Sequence, residues 1–363
     1  MVKYRKGGIK VDKETVSMVL ENIMDLNEAA KYMNLSKAQF CVLLENHKIT
    51  PIKDHFYYKG DLDDYMHRCY SLNSKNVKEA LLYYTMQTFC NDNEKETLHL
   101  LHTLEIEKQF DLHDPFFKNL EIICSYLHIQ EASFYKKYAQ MEAYFMNLPS
   151  GTLIISKEDG LYPIMLKDEK DAPYFLFVLG DLKLLDSFTI GIVGSEHPRE
   201  DEIKKALYLC DYCINKEMIV VSGLERGINT YLALEIMKRK SKGIFVLSCS
   251  FLDFFPKENK QLYEYMIENG LVISQFIYHS YQSSMIESRN LTLTALSNSC
   301  ILLGGKDHHE LTDFGYEALR QNKLLLLPSS LKKSYMHFPL ELNEGGGKYF
   351  SNMVEFKKLL HCT

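Results

Sequence analysis

No apolar run in this sequence approaches the ~18 residues that a membrane-spanning helix needs, so helical membrane proteins are excluded. The opening residues, "MVKYRKGGIKVDKE", hold no apolar core of a secretory signal, and a cytoplasmic location is expected. Tryptophan is absent from the 363 residues, which by itself excludes nothing. Basic charge is not in excess either. The formal net charge is -6, so any nucleic-acid binding has to come from a local patch. The nine cysteines are scattered and odd in number, the pattern of buried thiols in a reducing compartment rather than of a disulfide framework. Cys210 and Cys213 form a C-x-x-C inside the amphipathic helical pattern "ALYLCDYCINKEM" with no second pair nearby, which reads as helix packing and not as a metal site. What is present is an ordinary globular composition, 46% hydrophobic and 25% charged, over a length that predicts two to three domains.

Three regions differ in texture, with boundaries at 1–70, 71–147 and 148–363. In the first, Leu26, Ala29, Ala30 and Met33 share one helical face, and Ser36 is a good N-cap for a second helix through Glu45. "KITPIKDHFYYKGDL" then reads as a tight hairpin turning at Pro51 and Asp54, and Asp61 as the cap of a further helix. This order resembles winged helix-turn-helix domains of the excisionase and MerR type. That resemblance implies duplex DNA as a partner, with Ser36, Lys37, Gln39 and Lys48 at the contact, or alternatively a packing module without DNA binding. The second region is helical throughout, with breaks at Asn91–Asn93 and Asp114–Pro115, and carries no recognisable chemistry.

The third region alternates strand-like runs with helical patterns: "TIGIVGS", "MIVVSG", "GIFVLS", "LVISQF", "CILLGG" and "KLLLLPSS" are separated by amphipathic stretches. This succession predicts an α/β fold with a doubly wound, mostly parallel sheet covered on both faces. Ligands of such sheets bind at the carboxyl ends of the strands. Four strand ends carry suitable chemistry: Gly194 and Ser195; Gly223, Arg226 and Gly227; the "FFPKEN" loop with Lys257; and Arg289 with Asn290. Glycines let backbone N–H groups approach an anion, and each arginine can pair bidentately with phosphate oxygens. Several familiar loops are missing. There is no G-x-G-x-x-G, no P-loop and no G-x-S-x-G elbow. His308 and His309 read as surface or packing histidines without a ligand set around a shared turn, so no metal and no cofactor is expected.

The same strand ends resemble, in order along the chain, those of the DNA-processing protein A family (DprA, also called Smf). "EDGLYPIMLKDEKDAPYFLFVLGDLKLLD" is similar to the family's lead-in. "IGIVGS", "VVSGLERGIN", "FVLSCSFLDFFPKEN", "GLVISQF" with "SRNLTLTALS", and "LTDFGYEALRQNKLLLLPSS" follow, over roughly 145–360. The resemblance implies an extended Rossmann-like fold that binds single-stranded DNA during natural transformation and helps load a RecA-type recombinase, without a catalytic reaction. It places Ser195, Arg226, Gly227, Lys257, Arg289 and Asn290 at the DNA. The chain departs from the family pattern at Glu196, Glu202, Asn229, Ala233, Ser248, Ser250, Gln275 and Leu291, and Glu225 stands where a small residue is common. Two alternatives stay open. One is a nucleotide-processing enzyme of the phosphoribohydrolase type, for which Gly304, Gly305 and Glu310 of "LLGGKDHHELTDF" are the remnants. The other is a nucleotide-sensing regulator that binds duplex DNA through its N-terminal region. A homodimer is compatible with all three.

Overall fold

The computed structural model describes residues 22–32, 37, 40–41, 44, 49–53, 55–62, 75–108, 110–112, 116–278, 283–333 and 335–360. By internal contacts the chain divides into two units, Met1–Lys78 and Glu79–Thr363.

In the first unit, helix α1 (Leu26–Tyr32) starts where Asp25 Oδ1 accepts the N–H groups of Asn27 (2.7 Å) and Glu28 (2.9 Å). Glu28 Oε2 accepts the N–H of Asp25 in return, so two otherwise unpaired helix-end donors are satisfied reciprocally. Ala29 and Ala30 form the buried face, as the spacing predicts. Strand β1 (Ile23–Met24) pairs antiparallel with β2 (Tyr57–Tyr58), so Tyr57 and Tyr58, from the stretch read as a hairpin, pair with the residues ahead of the first helix. The tight turn lies at Lys53 and Phe56. Helical residues begin at Lys59, ahead of the Asp61 expected to cap them. Lys37 is helical and exposed; Ser36, Gln39 and Lys48 lie outside the described residues.

The second unit is built on a nine-stranded sheet: β3 (Leu153–Ser156), β4 (Phe175–Gly180), β5 (Thr189–Gly194), β6 (Ile219–Ser222), β7 (Gly243–Val246), β8 (Leu271–Ser274), β9 (Ser299–Leu303), β10 (Leu324–Pro328) and β11 (Lys348–Phe350). Their spatial order is β11-β10-β9-β5-β6-β7-β8-β4-β3. All pairs are parallel except β3–β4 and β4–β8, which add an antiparallel edge. β5 runs between β6 and β9, with Gly191 opposite both Val221 and Cys300. The strand order reverses there, so this is the topological switch point. The inner strands are buried along their whole length, which explains their unbroken apolar runs.

The helical stretch is not a body of its own. Helix α2 (Lys75–Gln87) lays Tyr83 on Tyr174, with ring centroids 5.6 Å apart and stacked, and Tyr84 on Phe177 of β4 at 5.5 Å. Helices α3 (Glu94–Lys108), α4 (Phe116–Leu127) and α5 (Glu131–Met146) follow, and Phe145 of α5 meets Phe177 edge-on. The remaining helices are α6 (Ile164–Lys167), α7 (Glu200–Asn215), α8 (Ile228–Lys238), α9 (Lys260–Asn269), α10 (Ser283–Ala295), α11 (Glu310–Arg320), α12 (Phe338–Glu344) and α13 (Met353–Leu360). Cys210 and Cys213 are buried on α7, and burial pushes the Cys213 thiol up to about 12, so neither is a reactive thiolate. No described helix is long and apolar enough to cross a membrane.

Candidate nucleic-acid interface

The loops that leave β5, β6 and β9 meet at the switch point. The N–H of Ser195 donates to the Leu303 carbonyl (3.2 Å), and the Ser195 carbonyl accepts from Ile228 N–H at the start of α8 (3.0 Å). Gly227, the residue before α8, has φ 80°. A Cβ there would sit 2.1 Å from the Ser195 carbonyl oxygen and 2.4 Å from that of Glu196, so both conformation and space require glycine. Gly304 (φ 99°) is equally constrained, with Ser195 Oγ 2.1 Å from its missing Cβ. Gly304 was expected only in the enzyme alternative; the Gly-Gly that ends "CILLGG" was the signal that it lines the same crevice as Ser195. Glu310 opens α11, but its side chain lies outside the described residues.

Arg226 projects from the β6 loop and is 44% exposed. Its Nε donates to Glu258 Oε1 at 2.6 Å, Glu196 Oε1 lies 4.0 Å from its Nη1, and the guanidinium stacks over the Phe255 ring at 5.1 Å. The guanidinium in turn holds the Glu258 carboxyl below the usual carboxylate range. Lys257, from the same loop as Glu258, is exposed and pairs with Asp253 at 3.0 Å. Asn259 ties that loop to the β6 loop by donating to the Leu224 carbonyl (2.7 Å) and to Thr230 Oγ1 (2.8 Å). Nothing in the sequence marked Asn259 for this role except its place at the end of "FFPKEN".

Arg289 and Asn290 are placed differently from the expectation. Both are buried on α10, Arg289 completely. The Arg289 guanidinium faces Glu225, with Nη2 3.1 Å from Oε1, instead of solvent. The first turn of α7, just after the β5 loop, carries Glu200, Asp201 and Glu202, which occupy the positive end of that helix with carboxylates. The crevice therefore presents Ser195, Arg226 and Lys257 on converging loops, with each cation already facing a carboxylate. Among the described residues no group of three His, Cys, Asp or Glu side chains is placed to hold a metal ion.

Known proteins are similar to this chain in sequence and in fold. DNA processing protein DprA of Bacillus subtilis is 30% identical over 218 residues, 59% of this chain and 73% of that protein. DNA processing protein DprA of Streptococcus pneumoniae is 31% identical over 138 residues, 38% of this chain and 47% of that one. The crystal structure of the pneumococcal protein superposes with a TM-score of 0.58 at 21% identity, covering 80% of this chain and 96% of its own. A solved structure of DNA processing protein A from Helicobacter pylori, described for its single-stranded-DNA binding mode, superposes at 0.52 with 21% identity, covering 59% and 98%. Residues 153–350 match the family model for DNA recombination-mediator protein A, from the edge strand β3 to β11 and across every loop of the crevice. The chain belongs to the DNA recombination-mediator protein A family.

Proposed function

We infer that this chain is a DNA-processing protein that binds single-stranded DNA at the crevice of Ser195, Arg226 and Lys257, and acts in DNA uptake and recombination. Family membership supports a mediator role beside a RecA-type recombinase, and the reading assigns no reaction to the chain. The observation that carries the crevice is the convergence of three strand-end loops at the switch point, with Arg226 exposed above it. Phosphate oxygens are the acceptors a guanidinium is built for, and the Phe255 ring beneath Arg226 supports its guanidinium plane. Glu196, Glu258 and Asp253 set a condition: a phosphate has to displace a carboxylate from each cation it meets.

The test is a titration of the full chain with a labelled oligothymidylate at low and rising salt. Micromolar or tighter binding is expected, with log affinity falling linearly against log salt by about 0.7 for every phosphate neutralised. Absence of binding to any single strand at low salt overturns the reading. Duplex binding through residues 1–70, a homodimer and a cytoplasmic location belong to the same proposal. Lys37, exposed on a helix, is the described residue that supports the duplex contact.

A further inference from the structure

Glu225 and Arg226 are neighbours that point in opposite directions. Arg226 is exposed, whereas Glu225 turns its carboxylate inward and is 9% exposed. Oε1 accepts from Ser248 Oγ at 2.8 Å and faces Arg289 Nη2 at 3.1 Å. Oε2 accepts from Asn229 Nδ2 at 2.8 Å, and the backbone carbonyl of Glu225 accepts from Thr230 Oγ1 at 2.9 Å. One side chain thus joins the β6 loop to the loop after β7, to α8 and to α10. Gly223 makes the fold-back possible, since a Cβ there would lie 1.8 Å from Glu225 Oε2 and 2.8 Å from Arg289 Nη1. A fully buried guanidinium needs a compensating anion, because desolvation is not offset otherwise. None of the three guanidinium nitrogens of Arg289 makes a hydrogen bond among the described residues, so the Glu225 carboxylate, 3.1 Å from Nη2, balances the buried charge as an ion pair.

We propose that Glu225 is a positioning residue: its buried carboxylate locks the Gly223–Gly227 loop so that Arg226 is presented to DNA phosphate, and Arg289 serves this lock instead of the phosphate. The proposal rests on the single-stranded-DNA reading and adds a division of labour between two arginines that the sequence treats alike.

The experiment compares full-length wild type, Glu225→Ala, Glu225→Ala/Arg289→Met and Arg226→Ala. Each is measured for thermal unfolding and for oligothymidylate affinity across a salt series. Glu225→Ala leaves a buried cation unpaired and should lower Tm by roughly 10 °C. The double variant should recover most of that Tm, yet stay about tenfold weaker in affinity, with a salt slope flatter by about 0.7, matching Arg226→Ala. Adding Arg226→Ala to the double variant should then cost nothing further. Wild-type affinity and slope in the double variant would mean that Glu225 only balances Arg289, and would overturn the proposal. A further loss on adding Arg226→Ala would overturn it too, because Arg226 would then act without the lock. Ser248→Ala guards against a double variant that fails to fold. It removes one hydrogen bond from Glu225 and no charge, so about threefold weaker binding is expected, and unchanged binding overturns the lock. Failure of wild type itself to bind at low salt overturns the DNA reading, an outcome separate from all of these.

Discussion

Arg226 holds its charge between two carboxylates, and on the proposed reading this sets how strongly it would grip DNA. Its 2.6 Å bond to Glu258 is charge-assisted but exposed, so it is worth little in stability, and on the proposed reading a phosphate would have to displace it. Glu258→Gln should therefore raise affinity for oligothymidylate about fivefold at low salt, measured by fluorescence anisotropy; no change would mean that Glu258 does not compete. Arg226→Glu should weaken binding by more than about tenfold. The Glu258 carboxyl is depressed by Arg226, so it stays ionised until the pH falls below the ordinary carboxylate range. Its protonation consequently cannot strengthen binding between pH 8 and 6. At Gly227 the backbone itself is the constraint. Gly227→Ala meets two carbonyl oxygens at φ 80° and should destabilise the protein by on the order of 3 kcal/mol, read from urea unfolding. At this scale the sequence located Ser195, Arg226, Gly227 and Lys257 on adjacent loops, because strand ends and glycines are local signals. It did not reveal the partners. Glu258 reaches Arg226 across 32 residues, and the Glu225–Arg289 pair depends on a helix that starts only at Ser283. Side-chain direction decides those pairings, and loop residues have no periodicity from which to read it.

Among the elements, the start of α3 carries the clearest pH dependence. Asn93 caps the helix through its carbonyl, bonded by Thr97 N–H at 3.0 Å, and through Oδ1, bonded by Glu96 N–H at 3.2 Å. Glu94, the first helical residue, is pushed up to about 7 by burial. Asp171 raises it further, against the Tyr174 backbone and Lys157, which lower it. A carboxyl whose folded value lies above its unfolded one binds more protons in the native state, so stability falls as pH rises from about 4.5 to about 7. Glu94→Gln should remove that loss and be more stable than wild type at pH 8 by on the order of 2 kcal/mol, with little difference at pH 4. Urea unfolding at both values checks it, and an equal gain at both would point to packing instead of ionisation. The strand–helix alternation of the third region was legible because parallel strands are uniformly apolar and their helices amphipathic. The antiparallel β3–β4 edge was not, since "TLIIS" and "YFLFVLG" are apolar runs like any other and pairing direction is a tertiary property.

For the whole molecule the question is whether the two units divide the work. With a net charge of -6 there is no general attraction for DNA, so the proposed binding would have to arise where loops place cations locally. The crevice lies wholly within Glu79–Thr363, and so does every contact described for it. The helices α2 to α5 fold with that unit, as the Tyr83, Tyr84 and Phe145 ring contacts with β4 and its flank attest. Helix α2 begins at Lys75, so a cut at 78 would split it, whereas a fragment of residues 71–363 keeps it whole. That fragment should unfold cooperatively and bind oligothymidylate with the affinity and salt slope of the full chain. A fragment that folds but binds more than about tenfold more weakly, or with a slope smaller by about 0.7 or more, would show that the first unit supplies phosphate contacts of its own. Duplex DNA separates the remaining possibilities. If the first unit reads duplex, the full chain binds it and the fragment does not, and Lys37→Glu in the full chain weakens duplex binding while leaving the single strand untouched. Equal duplex binding by chain and fragment would remove the helix-turn-helix expectation and assign all nucleic-acid contact to the sheet.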